Sequence, residues 1–408
     1  MMMRKNTEEI VSKMSTLGQS ISPSLTMAIT AKANELKQAG KSVIGMSAGE
    51  PDFDTPAHIC EAGIRAIQEG KTRYTAAAGL PILKEAICER VKYDSSLHYE
   101  PSQVVVSCGA KHSIFALMAA LLNPGDEVII PAPYWVSYPD QVKMLGAKPV
   151  IVSCDESSAY KLTSQQLEKA ITPKTKLLIL NSPSNPTGMV YNRTELEAIG
   201  ECVLKHDLYV LSDEIYAKLV YGIEHISLAT LSEKLKQKTF LVDGVAKAYA
   251  MTGWRIGFAI VPHVLAKVMG GMQSHSTSNP CTPAQYAALA AFSGPQNCVE
   301  EMRQVFDKRR LMMVDGLNAI AGVSSLLPQG AFYAFPNISA CFGKKTKTGQ
   351  LIKDSISFCA AFLEEKLVAA VPGVGFGADD NIRLSYATSE DDIQEALQRL
   401  SEFVSSLS

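Results

Sequence analysis

Seven short apolar runs through the middle of the chain constrain its fold more than any other feature. They are VVVS (104–107), EVII (127–130), KPVIV (148–152), KLLIL (176–180), LYVLS (208–212), TFLVD (239–243) and IGFAIV (256–261). Several are apolar at nearly every position, as a strand covered on both faces requires. Helical patterns separate many of them, for example HSIFALMAALL (112–122) and RTELEAIGECVLKH (193–206). This repetition predicts an α/β protein whose large domain holds a mostly parallel, seven-stranded sheet covered by helices.

The flanks read differently. Residues 20–40 form one helical pattern stopped by Gly40, and a long charged helix, EEMRQVFDKRRLMMVDGLNAI, begins at residue 300. The last helix starts at Ser389, an N-cap followed by acids. The 408 residues therefore divide into an N-terminal arm and part of a small domain (1–55), a large domain (56–300) and the rest of a small α+β domain (301–408).

Charge and cysteine usage narrow the partners. With 39 basic against 41 acidic residues, neither nucleic acid nor an anionic membrane is expected, since both select a basic excess. The nine cysteines include no CxxC pair. That argues against a disulfide framework or zinc cluster, so no metal site is expected, and a reducing cytoplasm is the easier setting. The opening MMMRKNTEEI lacks the apolar segment of a secretory signal. The longest apolar run, the nine residues from Ile114 to Leu122, is too short to cross a bilayer.

Ligands of such sheets bind at the carboxyl ends of the strands, which makes the residues after each run the ones to read. VVVS leads through CGAKHS into a helix. Gly109 and Ala110 there offer either a phosphate cradle at a helix N-terminus or an ordinary βα turn. PAPYWVSYP places Trp135 after the second run, as a stacking ring or a core aromatic. NSPSNPTG is a rigid loop carrying Asn181 and Asn185. Asp213 ends a buried strand, either meeting a cation or capping a helix, with Tyr216 one turn on. Lys247 sits among small and apolar residues, where desolvation would lower its pKa and leave a nucleophilic amine; a solvated surface lysine is the alternative. Arg255 follows as a phosphate clamp, and Arg383, inside IRLSYA, either snorkels or pairs with a carboxylate. Together these groups match the needs of pyridoxal phosphate: a lysine, an acid for the ring nitrogen and an anion site.

The motifs SAGEPDFDTP (47–56), KTRYTAAAGLP (71–81), PAPYWVSYP (131–139), NSPSNPTG (181–188), SDEIY (212–216), AKAYAMTGWRIG (246–257), GAFYAF (330–335) and IRLSYA (382–387) resemble those of class I pyridoxal-phosphate-dependent aminotransferases of fold type I. The likeness is greatest to the bacterial aspartate aminotransferase branch that includes aspartate/prephenate enzymes. It implies ping-pong exchange of an amino group between L-aspartate and 2-oxoglutarate through a pyridoxamine phosphate form. Prephenate with glutamate or aspartate, or aromatic amino acids, are the alternative substrates. By resemblance Lys247 is the Schiff-base lysine and proton shuttle, Asp213 the partner of the ring nitrogen, and Tyr216 and Asn185 the partners of the ring oxygen. Trp135 would stack on the ring. Arg255, Gly109, Ala110 and Tyr74 of a second copy would hold the phosphate, implying a homodimer with shared sites. Arg383, helped by Asn185 and the Gly49 backbone, would bind the substrate α-carboxylate. Lys111, with Ser24 and Thr26, would meet a distal carboxylate. The chain departs from the common pattern at Gly244 and Ala246, where many relatives carry a serine for the phosphate, and at Ala110, where close relatives often carry glycine.

Rival readings are weaker. Gly45 to Gly49 spells GxSxG, but the following EPDFDTP suits a loop better than the helix a hydrolase elbow needs. GVGFG (373–377) has the wrong spacing for a dinucleotide fingerprint. A regulator would need an appended basic DNA-binding segment, and the sequence contains none.

Overall fold

The computed structural model describes residues 10, 13–20 and 25–408. All seven predicted runs become strands of one sheet: β2 (Val104–Ser107), β3 (Glu127–Ala132), β4 (Lys148–Ser153), β5 (Thr175–Asn181), β6 (Tyr209–Asp213), β7 (Thr239–Gly244) and β8 (Gly257–Ile260), ordered β2-β8-β7-β6-β5-β3-β4. Only β8 runs against its neighbours; the other pairs are parallel. β2 and β8 are buried at every position. The edge strand β4 has exposed positions, consistent with its lysine and serine ends.

Two smaller sheets join the ends of the chain. β1 (Ile44–Gly45) pairs in parallel with β10 (Val368–Ala369), while β11 (Val371–Pro372), β12 (Ile382–Ser385) and β9 (Tyr333–Ala334) form an antiparallel trio. One apolar cluster packs Ile44 and Met46 with Phe306, Phe332, Phe358, Phe362 and Phe403. Phe358 meets Phe403 edge-on at 5.3 Å.

The flanking helices follow their sequence signals. The last one, Glu390–Ser405, is capped by Ser389, whose Oγ accepts the Asp392 N–H at 3.1 Å. Three acids in its first turn complement the positive end of its dipole. The helical pattern over 20–40 is realised as Leu25–Gln38, with Gly40 at φ +79° beyond its end. A separate short helix, Thr16–Ser20, precedes it. Among the described residues no helix is long and apolar enough to cross a membrane.

Candidate active site

The carboxyl ends of the parallel strands open into a cavity of about 500 Å³, into which segments far apart in sequence project. β6 delivers Asp213 to its floor. The carboxylate Oδ2 accepts a 2.6 Å hydrogen bond from the Tyr138 hydroxyl, and Oδ1 accepts from the Ile215 N–H at 3.3 Å. Burial pushes this carboxyl up to about 6, against the Tyr138 hydrogen bond, which pulls it down. Asp213 caps no helix: a turn follows, and it carries Tyr216 into the cavity. The Tyr216 hydroxyl lies 2.7 Å from that of Tyr333.

Lys247 follows β7 and enters the same cavity. Its Nζ donates a hydrogen bond to the carbonyl of Gly49 and lies 5.7 Å from the ring centre of Tyr216 and 5.8 Å from that of Phe332. Burial, and then repulsion from Arg383, lowers the amine to about 8. The sequence expectation of a desolvated lysine is met, and the surface alternative is not.

Arg383, on β12, does not snorkel, and among the described residues it meets no carboxylate. It is buried, donating from Nη1 to Asn185 Oδ1 and from Nη2 to the Ser47 carbonyl, both at 2.9 Å. Its guanidinium carbon lies 4.4 Å from the Tyr333 ring centre, and Nε is buried with no hydrogen-bond partner among the described residues. A buried guanidinium among neutral acceptors, with a donor to spare, is able to receive an anion. Asn185 is itself held by its neighbour: its N–H donates to Asn181 Oδ1 at 2.8 Å, while Asn181 Nδ2 donates to the Asp213 carbonyl at 3.0 Å.

A second cationic group lies where β2 turns into the helix Ala110–Leu121. Gly109 is its N-cap at φ +87°. A Cβ added there would sit 2.9 Å from Arg255 Cζ, so glycine is what lets the guanidinium lie against this turn. Arg255 is anchored by Nη1 to the Thr252 carbonyl (2.8 Å) and Nη2 to the Cys108 carbonyl (3.3 Å). Cation, helix N-terminus and close backbone together suit a phosphate.

The departures noted in the sequence have different causes. Gly244 pairs with Gly257 across β7 and β8, and a Cβ on Gly244 would lie 2.8 Å from both Gly257 Cα and the Ile256 carbonyl oxygen. No serine fits there without prising the strands apart. Ala246 lines the cavity.

The remaining candidates are placed as follows. Trp135 is half-buried on the cavity wall, edge-on to Tyr138 at 5.3 Å. Lys111 stands exposed at the mouth, its Nζ 4.9 Å from the Trp135 ring centre. Ala110 and Gly49 line the cavity. Tyr74 is 89% exposed and does not line it. Ser24 and the Thr26 side chain lie outside the described residues. Sequence reading assigned no role to Tyr138, Tyr333 or the Ser47 carbonyl, although Tyr138 and Tyr333 fall inside motifs already singled out. The GxSxG serine follows the two-residue β1 in a loop, with no helix before Ala57, so it forms no hydrolase elbow. GVGFG forms a short 3-10 turn, not a strand-to-helix phosphate loop.

Residues 41–400 match the aminotransferase class I and II family. The aspartate aminotransferase of Geobacillus stearothermophilus is 53% identical over 389 residues, covering 94% of this chain and 97% of that protein. An aspartate/prephenate aminotransferase of Cereibacter sphaeroides is 49% identical over 390 residues, covering 95% and 98%. Among solved structures, the Rhizobium meliloti aspartate aminotransferase superposes with a TM-score of 0.94 at 45% identity, over 97% of this chain and all of that one. The Thermus thermophilus enzyme with maleate gives 0.90 at 41% identity, over 96% and 99%. With its lysine, acid and arginine gathered in one cavity and this likeness along nearly its whole length, the chain is an aminotransferase and belongs to the class I and II family.

Proposed function

We propose that this enzyme exchanges the amino group between L-aspartate and 2-oxoglutarate in ping-pong fashion, using pyridoxal 5'-phosphate. The observation that carries the reading is the Lys247 amine, with a pKa lowered to about 8, in a cavity that also contains a buried acid and a buried arginine with no anionic partner among the described residues.

The residues present fit that cofactor. Asp213 is a buried carboxyl whose only side-chain hydrogen bond among the described residues comes from a neutral tyrosine, so a protonated ring nitrogen would suit it as a partner. The Gly109 turn and Arg255 would hold the phosphate, Trp135 the ring face, and Tyr216 and Asn185 the ring oxygen. Lys247 would hold the aldehyde carbon. When bound, the cofactor supplies an electron sink for the substrate Cα–H bond.

The chain's own groups would then divide the work. Arg383 would take the α-carboxylate through its fork and fix the orientation of Cα. The Lys247 amine, partly unprotonated at neutral pH, would remove the α-proton and return it elsewhere. Asp213, steadied by Tyr138, would hold the ring proton. Lys111 at the mouth would meet a distal carboxylate, which favours dicarboxylic substrates. The Thermus relative, solved with maleate, supports that preference. The name of the Cereibacter sphaeroides relative makes prephenate the second candidate.

Tyr74, so largely exposed in a single chain, is read as reaching the phosphate site of a second copy in a homodimer. Nine free cysteines suit a reducing cytoplasm. The test is reduction of the holoenzyme with borohydride followed by peptide mass mapping, alongside a panel of keto acids with aspartate or glutamate as donor. Label on Lys247 and fastest turnover with 2-oxoglutarate are expected. An unlabelled Lys247 refutes the mechanism, and faster turnover with prephenate moves the substrate.

A further inference from the structure

Outside the cavity, two neighbouring helices gather a set of donors that the reaction does not use. Cys202 lies in the last turn of the helix Arg193–Lys205 and His206 is its C-cap, so the two are four residues apart on one face. Glu168 comes from the helix Ser164–Ala170. Its Oε2 accepts from Cys202 Sγ at 3.3 Å, and its Oε1 lies 2.9 Å from His206 Nε2. The three ligand atoms all fall within 4.8 Å of one another, the only such trio among the described residues. The sulfur belongs to a buried residue, whereas the Glu168 and His206 side chains are 41% and 27% exposed. An ion has a path in from solvent, and the thiol is shielded.

We propose that Glu168, Cys202 and His206 form a zinc-binding site whose fourth position is taken by water. Thiolate, imidazole and carboxylate in one small cluster suit a borderline-soft tetrahedral cation, whereas calcium and magnesium prefer oxygen donors alone. A four-residue spacing on one helix is a known way of presenting two zinc ligands. The ion would also sit at a helix C-terminus, where the last carbonyls favour positive charge. One competitor must leave: Lys205 Nζ, 2.7 Å from Glu168 Oε1, on a side chain 65% exposed and free to swing into solvent. On binding, a Zn–S bond replaces the Cys202 S–H bond, and the proton passes to water with no change of oxidation state. The thiol must give up its proton to ligate the ion, so binding tightens as pH rises. The sequence showed no zinc pattern because Glu168 and Cys202 are 34 residues apart and meet only when their helices pack. The ion would staple these two helices, which flank β5 in the sequence.

The test uses chelator-treated holoenzyme titrated with zinc chloride by calorimetry in two buffers of different ionisation heat, and with cobalt(II) by absorbance. Expected are about one ion per chain, about one proton released near pH 8, a higher Tm and a thiolate-to-cobalt band. Cys202→Ser, His206→Ala and Glu168→Gln should each weaken zinc by about 100-fold or more, given that even outer partners of metal ligands cost about 10–100-fold. Zinc-free transamination should be unchanged in all three. Unaltered stoichiometry and affinity in Cys202→Ser overturn the site; if that variant misfolds, the same result in the surface change Glu168→Gln overturns it. The cobalt band and the ion count do not depend on transaminase activity, so failure of the functional reading would leave them intact.

Discussion

Lys247 carries its amine into a cavity it shares with two arginines, and in the absence of cofactor that burial has a measurable thermodynamic signature. The unfolded chain holds the proton up to the ordinary lysine value of 10.5, and the folded protein releases it at about 8. Between those values unfolding takes up a proton, so stability rises with pH. Working the two values through gives a gain of about 2 kcal/mol between about pH 7 and pH 9.5 from this one group. Lys247→Met removes the titration and keeps the length of the side chain. The assay is urea unfolding of the apoenzyme and its Met variant at matched pH values. The wild-type chain should gain about 2 kcal/mol on the variant across that range, starting from a disadvantage at the acid end. Two stability curves that run parallel would refute the claim that this amine is desolvated. The chemical counterpart is cofactor uptake, whose rate should climb through the same interval as the free amine accumulates.

Other substitutions separate the remaining roles. Arg383→Ala should lower kcat/KM about 100-fold or more for every amino donor alike, since it removes a buried guanidinium from its carboxylate; a loss confined to dicarboxylic donors would exchange the roles of Arg383 and Lys111. Lys111→Ala should cost aspartate and glutamate about two- to fivefold in kcat/KM, as exposed charge contacts are weak, and leave monocarboxylic donors unchanged. Tyr138→Phe removes a hydrogen bond to a buried carboxyl, worth about 1.5–3 kcal/mol when the acceptor is charged. Cofactor affinity should fall about tenfold or more, read from the dissociation constant, and the Asp213 carboxyl should titrate higher.

The large sheet was readable because strands covered on both faces must be apolar along their length, and β2, β6 and β8 announce themselves that way. The two-residue strands β1, β9, β10 and β11 carry no such signal, since two residues show no periodicity. Asp213, Lys247 and Arg383 were legible as costly groups in apolar settings, a contradiction that a functional cavity resolves. Their partners were not. Nothing in PAPYWVSYP distinguishes Tyr138, which meets Asp213 from 75 residues away, from its aromatic neighbours. The carbonyls of Ser47 and Gly49 are backbone groups and leave no mark in a sequence. Of the groups that hold Arg383, Asn185 was named in advance and the Ser47 carbonyl was not, for the same reason.

The glycine-on-glycine contact between Gly244 and Gly257 limits how the proposed phosphate site can change. An engineer or a lineage seeking one more hydroxyl for that anion finds the door three residues before the lysine bolted by main-chain atoms of the adjoining strand. The door at Ala246 stands open onto the cavity. Of the two positions, 246 alone has room for that hydroxyl, and a serine introduced there tests it in one step.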